Sequence, residues 1–265
     1  MVRKQNGATE DGAQGSTLAL GGLRIELAGD SPETHTFKGL IYGQSGAGKS
    51  WLASTAPAPF VLLTEENGRQ SIRQSNANAR IVRANDIGTV REFMRAAAED
   101  RLRSLGCATI VIDSLTEVQR LMKDEILAKK PQGEGMALQD WGELTERMRR
   151  FMRLVRDVPY HVIATALEAT SDEDGGPRHV FPSFEGKKLH NEVAQYFNFV
   201  GYCFKKERAG TDGQRAVDHA CMVEGPSRFL VKPCSPLTGV LQAPMSTWFD
   251  RLASGRIENE PKGAK

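Results

Sequence analysis

No stretch of this chain approaches the roughly 18 consecutive apolar residues that a spanning helix needs, so no membrane span is expected. The basic start Met1-Val2-Arg3-Lys4 is not followed by an apolar segment, and the short run Leu18 to Leu23 is broken by glycines and ended by Arg24. A signal peptide is therefore not expected. Cysteine is scarce: Cys107, Cys203, Cys221 and Cys234 lie far apart with no C-x-x-C among them. That argues against zinc and against a disulfide framework, and for reduced thiols in a cytoplasmic protein. An excess of one charge is missing too, with 35 Lys and Arg against 33 Asp and Glu, a net +2. A strongly basic nucleic-acid wrapper and an acidic tail protein are both excluded, while a locally basic groove is not. The 26 glycines and 12 prolines among 265 residues fall short of a low-complexity chain. The five histidines are scattered, and His161, in an apolar run, reads as a core residue.

What is present is an ordinary globular core. Residues 1–16 are Gly, Gln, Ser and charge, and are expected to form a disordered tail, with a second loose tail over 254–265. Between them no repeat or long linker appears, so 17–253 reads as one domain. Short apolar runs at 38–42, 60–64, 80–83, 108–112 and 160–165 do not alternate with polar residues, the pattern of strands covered on both faces. Helical spacing falls between them: about 87–104, a helix capped by Ser114, and about 139–156. After residue 196 the pattern changes to strands at 198–206, 214–223 and 227–232 separated by turns. The expected fold is α/β: a mostly parallel sheet flanked by helices, then an antiparallel C-terminal extension.

The strongest signal is Gly43-Gln44-Ser45-Gly46-Ala47-Gly48-Lys49-Ser50, which fits G-x-x-x-x-G-K-[ST] without a mismatch. The glycines let backbone N–H groups turn toward a phosphate chain. Lys49 supplies a point charge at the β/γ-phosphates, and Ser50 offers a hydroxyl to Mg²⁺. An accidental match in a chain this long is on the order of one per cent. An apolar strand leads in and Trp51-Leu52-Ala53 continue as a helix, so ATP with Mg²⁺ is the expected ligand, with Trp51 at its edge.

Two acidic elements complete the pattern. Thr109-Ile110-Val111-Ile112-Asp113-Ser114 is a buried strand ending in Asp113, placed to hold Mg²⁺ with Ser50. Thr64-Glu65-Glu66 ends the strand at 60–64, and Glu65 is the candidate that orients water for hydrolysis, with Lys49 as its catalytic cation. A solvated acidic pair is the plain alternative for Glu65-Glu66.

These three elements, in this order, resemble the RecA-like branch of P-loop ATPases. They are similar above all to the small phage-encoded members associated with single-strand annealing and recombination. Gln139-Asp140-Trp141-Gly142, Val158 to Ile163 and Phe181 to Leu189 carry the resemblance further. It implies a RecA-like core over roughly 38–250, an ATPase that acts on single-stranded DNA, and a homo-oligomeric ring or filament. A single-strand DNA-binding protein as partner and residence in a host cytoplasm follow from the same likeness. Two departures are visible. The segment Ala164-Thr165-Ala166-Leu167-Glu168 lacks the Gln or His that commonly senses the γ-phosphate, leaving Thr165 or Glu168. Phe229 to Cys234 keeps only Lys232 as a cation that a neighbouring subunit would contribute.

For DNA, the long segment 168–190 offers Arg178, Lys187 and Lys188 for phosphates and Phe181 or Phe184 for bases, though Asp172-Glu173-Asp174 opposes continuous contact. Residues 129–138 form a second candidate loop. The arginines at 147, 149, 150, 153 and 156 read by default as a solvated helix face. Competing readings are a low-turnover, ATP-bound regulatory scaffold and a small-molecule or nucleotide kinase. The kinase requires a lid the sequence does not show, and no N/T-K-x-D guanine reader supports a GTPase.

Overall fold

The computed structural model describes residues 18–20, 23–25, 36–171, 178–186, 189–209 and 215–254. The chain divides into two compact units, Met1–His35 and Thr36–Lys265. In the first, β1 (Leu18–Leu20) and β2 (Leu23–Ile25) pair antiparallel with Leu18 opposite Ile25.

The second unit runs β3 (Lys38–Gly43), α1 (Lys49–Ala53), β4 (Pro59–Leu63), α2 (Gly68–Ser75), β5 (Arg80–Arg83), α3 (Ile87–Ala98), β6 (Thr109–Asp113), α4 (Leu115–Leu127) and α5 (Leu138–Asp157). It continues with β7 (His161–Ser171), β8 (His179–Pro182), α6 (Leu189–Glu192), β9 (Phe199–Ala209), β10 (Arg215–Met222), β11 (Val240–Gln242) and α7 (Ser246–Ser254). The sheet order is β11-β10-β9-β3-β7-β6-β4-β5, with β8 attached to β7. Strands from β9 to β5 are mutually parallel, while β10 and β11 turn antiparallel. This is the expected α/β fold with an antiparallel C-terminal extension.

The apolar runs make this sheet because both of its faces are covered. Successive side chains point to opposite faces. Leu40, Tyr42, Phe60, Leu62, Ile110, Ile112 and Val162 therefore pack with Val90, Met94, Val118 and Met148 of α3–α5. Their neighbours Ile41, Val61, Leu63, Val111 and Ile163 pack with Leu52, Ile72 and Trp248 of α1, α2 and α7. Ser114 caps α4 as expected, its hydroxyl accepting from Glu117 N at 3.3 Å.

Three expectations change. The helix at 87–104 ends at Ala98, with a separate 3₁₀ turn over Arg103–Leu105. The segment 168–190 is not one loop: β7 continues to Ser171, and β8 folds back on it with Ala169 opposite Phe181. Residues 227–232 form no strand, because β10 ends at Met222 and only single bridges join Phe229 to Val180 and Lys232 to Val200.

Candidate functional site

Parallel strands end on one edge of a sheet, and the register here brings the ends of β3, β4 and β6 to the same edge, while β7 runs on past them to Ser171. Gly43 lies beside Leu167, and Leu63 beside Asp113. The result is a cleft of about 390 Å³ lined by Ser45, Gly46, Gly48, Lys49, Ser50, Trp51, Glu65, Gly68, Asp113, Thr165, Lys205 and His219, among others. Its volume is in the range of small-molecule sites. Gly43, Gln44 and Ala47 carry the loop without lining the cleft.

The loop needs its glycines for conformation, Gly43 included, where a β-carbon would collide with Cys203 O. Gly46 (φ 76°) and Gly48 (φ 92°) are in the left-handed region that a side chain disfavours. Lys49 is buried, and its ammonium donates to Gly43 O at 2.8 Å and Gln44 O at 2.7 Å. Burial pulls its pKa down, against the pull of nearby groups that include Asp113 and Glu65.

Asp113 is aimed by its neighbours. Thr165 Oγ1 donates to its Oδ1 at 2.6 Å. Thr64 donates from N (2.8 Å) and Oγ1 (2.9 Å) to its carbonyl, and Ser114 N donates to the same hydroxyl at 2.9 Å. Asp113 Oδ2 is thereby directed at Gly68, the first residue of α2. A β-carbon built on Gly68 meets Leu63 Cδ1 at 2.9 Å, Asp113 Oδ2 at 3.0 Å and Ser50 Oγ at 3.6 Å. The carboxylate and the hydroxyl thus converge on one small space that only glycine leaves open. Two hard oxygen donors with room for further oxygens suit Mg²⁺, which keeps several waters and binds phosphates directly.

Glu65 lines the cleft, whereas Glu66 turns away to Arg83, 3.1 Å off. Partial burial raises the Glu65 pKa, and the negative charges of Glu117 and Asp113 raise it further, opposed by Arg120 and Lys49. Of the two candidate sensors, Thr165 is buried and donates to Asp113, and Glu168 does not line the cleft. Neither is a free γ-phosphate sensor.

Gly68, Lys205 and His219 are absent from the sequence-based set. His219 packs its ring on Trp51, 5.3 Å between centroids, and its Nδ1 lies 3.0 Å from Ala47 O. Lys232 does not join the cleft. Its ammonium donates to Phe197 O at 2.8 Å and Ala194 O at 3.3 Å, holding its own chain together.

The DNA candidates are dispersed. Arg178 donates to Thr170 Oγ1 at 2.9 Å across the β7–β8 pair, and Lys187 and Lys188 lie outside the described residues. Phe184 is buried, which removes it as a stacking surface, while Phe181 stacks on His190 at 4.3 Å. On α5, Arg147 pairs with Glu125 and Glu143, Arg149 with Glu192 and Glu146, and Arg156 with Asp157. Lys130 is held by Asp140 at 2.6 Å. The helix is the solvated, ion-paired face its charge pattern suggests. His161 is structural, its Nδ1 accepting from Phe37 N at 3.0 Å.

A protein-family model described as an AAA domain matches residues 35–229. No curated protein matches the chain. Among solved structures, an ATPase from the type III secretion system of pathogenic bacteria is similar at 17% identity and a TM-score of 0.42, over 63% of this chain. The chain spans about half of that ATPase, 52% of its length.

Proposed function

Because this chain belongs to the AAA domain family, we propose that it hydrolyses MgATP at the cleft on its strand edge and uses the nucleotide to control binding to single-stranded DNA. The observation that carries the chemistry is the convergence of Asp113 Oδ2 and Ser50 Oγ over Gly68, with Lys49 in the loop above and Glu65 on the same cleft. Lys49 neutralises the β/γ-phosphates, while Ser50 and Asp113 hold Mg²⁺, which when bound offsets charge on the transferred group. Glu65, ionised, accepts a proton from the attacking water.

The DNA half of the reading follows the RecA-like order of motifs and one surface feature. Beside the β7–β8 hairpin, a cleft of about 350 Å³ is lined by His179, Phe181, His190, Arg228 and Phe229, among others. The Arg228 guanidinium lies 5.0 Å over the Phe229 ring. Aromatic faces mixed with cations are what single-strand sites use for stacking and backbone contact. Lys187 and Lys188 follow the hairpin in sequence and belong to the same proposal, as does a ring or filament of subunits.

The test is single-strand binding with a slowly hydrolysed ATP analogue across a salt series. Replacing Lys187 and Lys188 by Ala should weaken binding for all sequences alike and flatten the log K against log salt slope by about 1.4, or about 0.7 per phosphate. A wild-type protein that hydrolyses ATP but binds no single strand would overturn the DNA half alone. One that binds ATP with negligible turnover, with or without DNA, would instead favour a regulatory scaffold.

A further inference from the structure

The β9–β10 ribbon overhangs the phosphate loop. Strand β9 is parallel to β3, with Tyr42 beside Tyr202, so its later residues continue past the point where β3 ends in the loop. Strand β10 returns antiparallel with His219 directly opposite Lys205. Opposed residues share one face of a ribbon, and this face meets the loop at two glycines. A β-carbon on Gly48 would lie 2.1 Å from His219 Nδ1, and one on Gly46 would have the Lys205 ammonium as its sole neighbour, at 3.9 Å. His219 is thus seated against the loop and fixes the register that brings Lys205 over its middle.

Lys205 differs from the other cations considered for the site. Lys49 is engaged by two loop carbonyls and Lys232 by two others far along the chain. Lys205 is exposed, lines the cleft, and makes no hydrogen bond or ion pair among the described residues. The groups that usually recognise the terminal phosphate are missing or occupied, since Thr165 serves Asp113. Resting on the nucleotide-site reading above, we infer that Lys205 recognises the γ-phosphate within its own chain. It binds nucleoside triphosphates in preference to diphosphates and stabilises the charge that spreads over the transferred phosphoryl group. A cation in that role acts chiefly in the transition state and is commonly worth at least about 10³-fold in turnover.

The experiment compares affinities for a slowly hydrolysed ATP analogue and for ADP, both with Mg²⁺, in wild type, Lys205→Ala, Lys205→Arg and Lys206→Ala. Lys206 leaves the opposite face of the ribbon. Lys205→Ala should weaken the analogue about ten- to a hundredfold, the scale of one charged hydrogen bond, and ADP by no more than about threefold. Lys205→Arg should restore most of the preference, and Lys206→Ala should resemble wild type. Turnover of Lys205→Ala should fall about 10³-fold or more at saturating ATP. Mixing Lys205→Ala with Lys49→Ala should restore no activity, since one chain must carry both lysines. Equal weakening of both nucleotides, an unchanged preference, or rescue on mixing would each overturn the inference. Wild-type protein that binds neither nucleotide would instead refute the nucleotide site itself.

Discussion

Gly68→Ala isolates the space over the first residue of α2. Its φ lies outside the left-handed region, so alanine is conformationally permitted there. Reduced freedom of the unfolded chain should favour the variant by about 0.4–1 kcal/mol. Against this, the new methyl sits 2.9 Å from Leu63 Cδ1 and 3.0 Å from Asp113 Oδ2, where relaxed heavy-atom contacts are about 3.5–4.0 Å. Leu63 is packed in the core, and Asp113 is pinned by Thr165 and Thr64, so neither yields freely. Overpacking of this kind costs about 1–3 kcal/mol, so the net effect is a loss of up to about 2.6 kcal/mol, about 1.3 at the midpoints.

The larger consequence falls on Mg²⁺. Displacing Asp113 from the point it shares with Ser50 should weaken the metal about 10–100-fold, the scale for disturbed ligand positioning. Urea unfolding without nucleotide reads the first effect. Calorimetric titration of a slowly hydrolysed ATP analogue, with Mg²⁺ and then with a chelator, reads the second. Wild type and variant should bind alike in chelator and diverge only with Mg²⁺. A variant that gains as much from Mg²⁺ as wild type would refute the reasoning, because the space would then not be the cation's.

Glu65→Gln should keep ATP affinity and lower turnover by about two orders of magnitude or more, while Glu66→Gln, which only loses its Arg83 pair, should stay near wild type; reversed effects would reassign the base. The raised pKa of Glu65 places the acid limb of kcat/KM above the ordinary glutamate range, with rate lost as pH falls through it. Removing a neighbouring negative charge by Glu117→Gln should move that limb to lower pH, and a pH–rate profile that stays put or moves upward would contradict the electrostatic account. Thr165→Val keeps shape but strips a buried carboxylate oxygen of its donor, so it should cost about 1–3 kcal/mol in urea unfolding; a loss below about 0.5 kcal/mol would deny the hydrogen bond its role.

The sheet and the phosphate loop were legible because their signals are local. A strand covered on both faces is a continuous apolar run, and the loop's chemistry is contained in eight consecutive residues. Asp113 and Glu65 were legible as strand ends. Helix α2 was not, since Gly68 to Ser75 buries only Ile72 and presents no apolar periodicity. Strand β8 was hidden by its half-buried, four-residue length. Lys205 and His219 were illegible for a different reason. Each is an ordinary polar residue on a ribbon, and its meaning comes from which strand lies beside β3, a pairing no local pattern announces. Gly68 likewise has no unusual backbone to mark it; only the approach of Asp113, Ser50 and Leu63 from three other elements makes its missing side chain matter.

The place of β3 in the sheet has a consequence for how the protein comes into being. Its two neighbours are β7, where Lys38 meets Val162, and β9, where Gly39 meets Phe199. The strand that carries the phosphate loop therefore leaves the ribosome long before either partner exists. Contacts closed over such distances form slowly and late in folding. A nascent chain that stops short of β9 already contains the whole glycine-lysine signature, yet the wall that seats it is still unmade. The complete cleft therefore exists only once the chain through His219 has been made and its long-range strand pairs have closed. Once bound, a ligand at a hundred times its dissociation constant adds about 2.7 kcal/mol to the stability of the assembled chain.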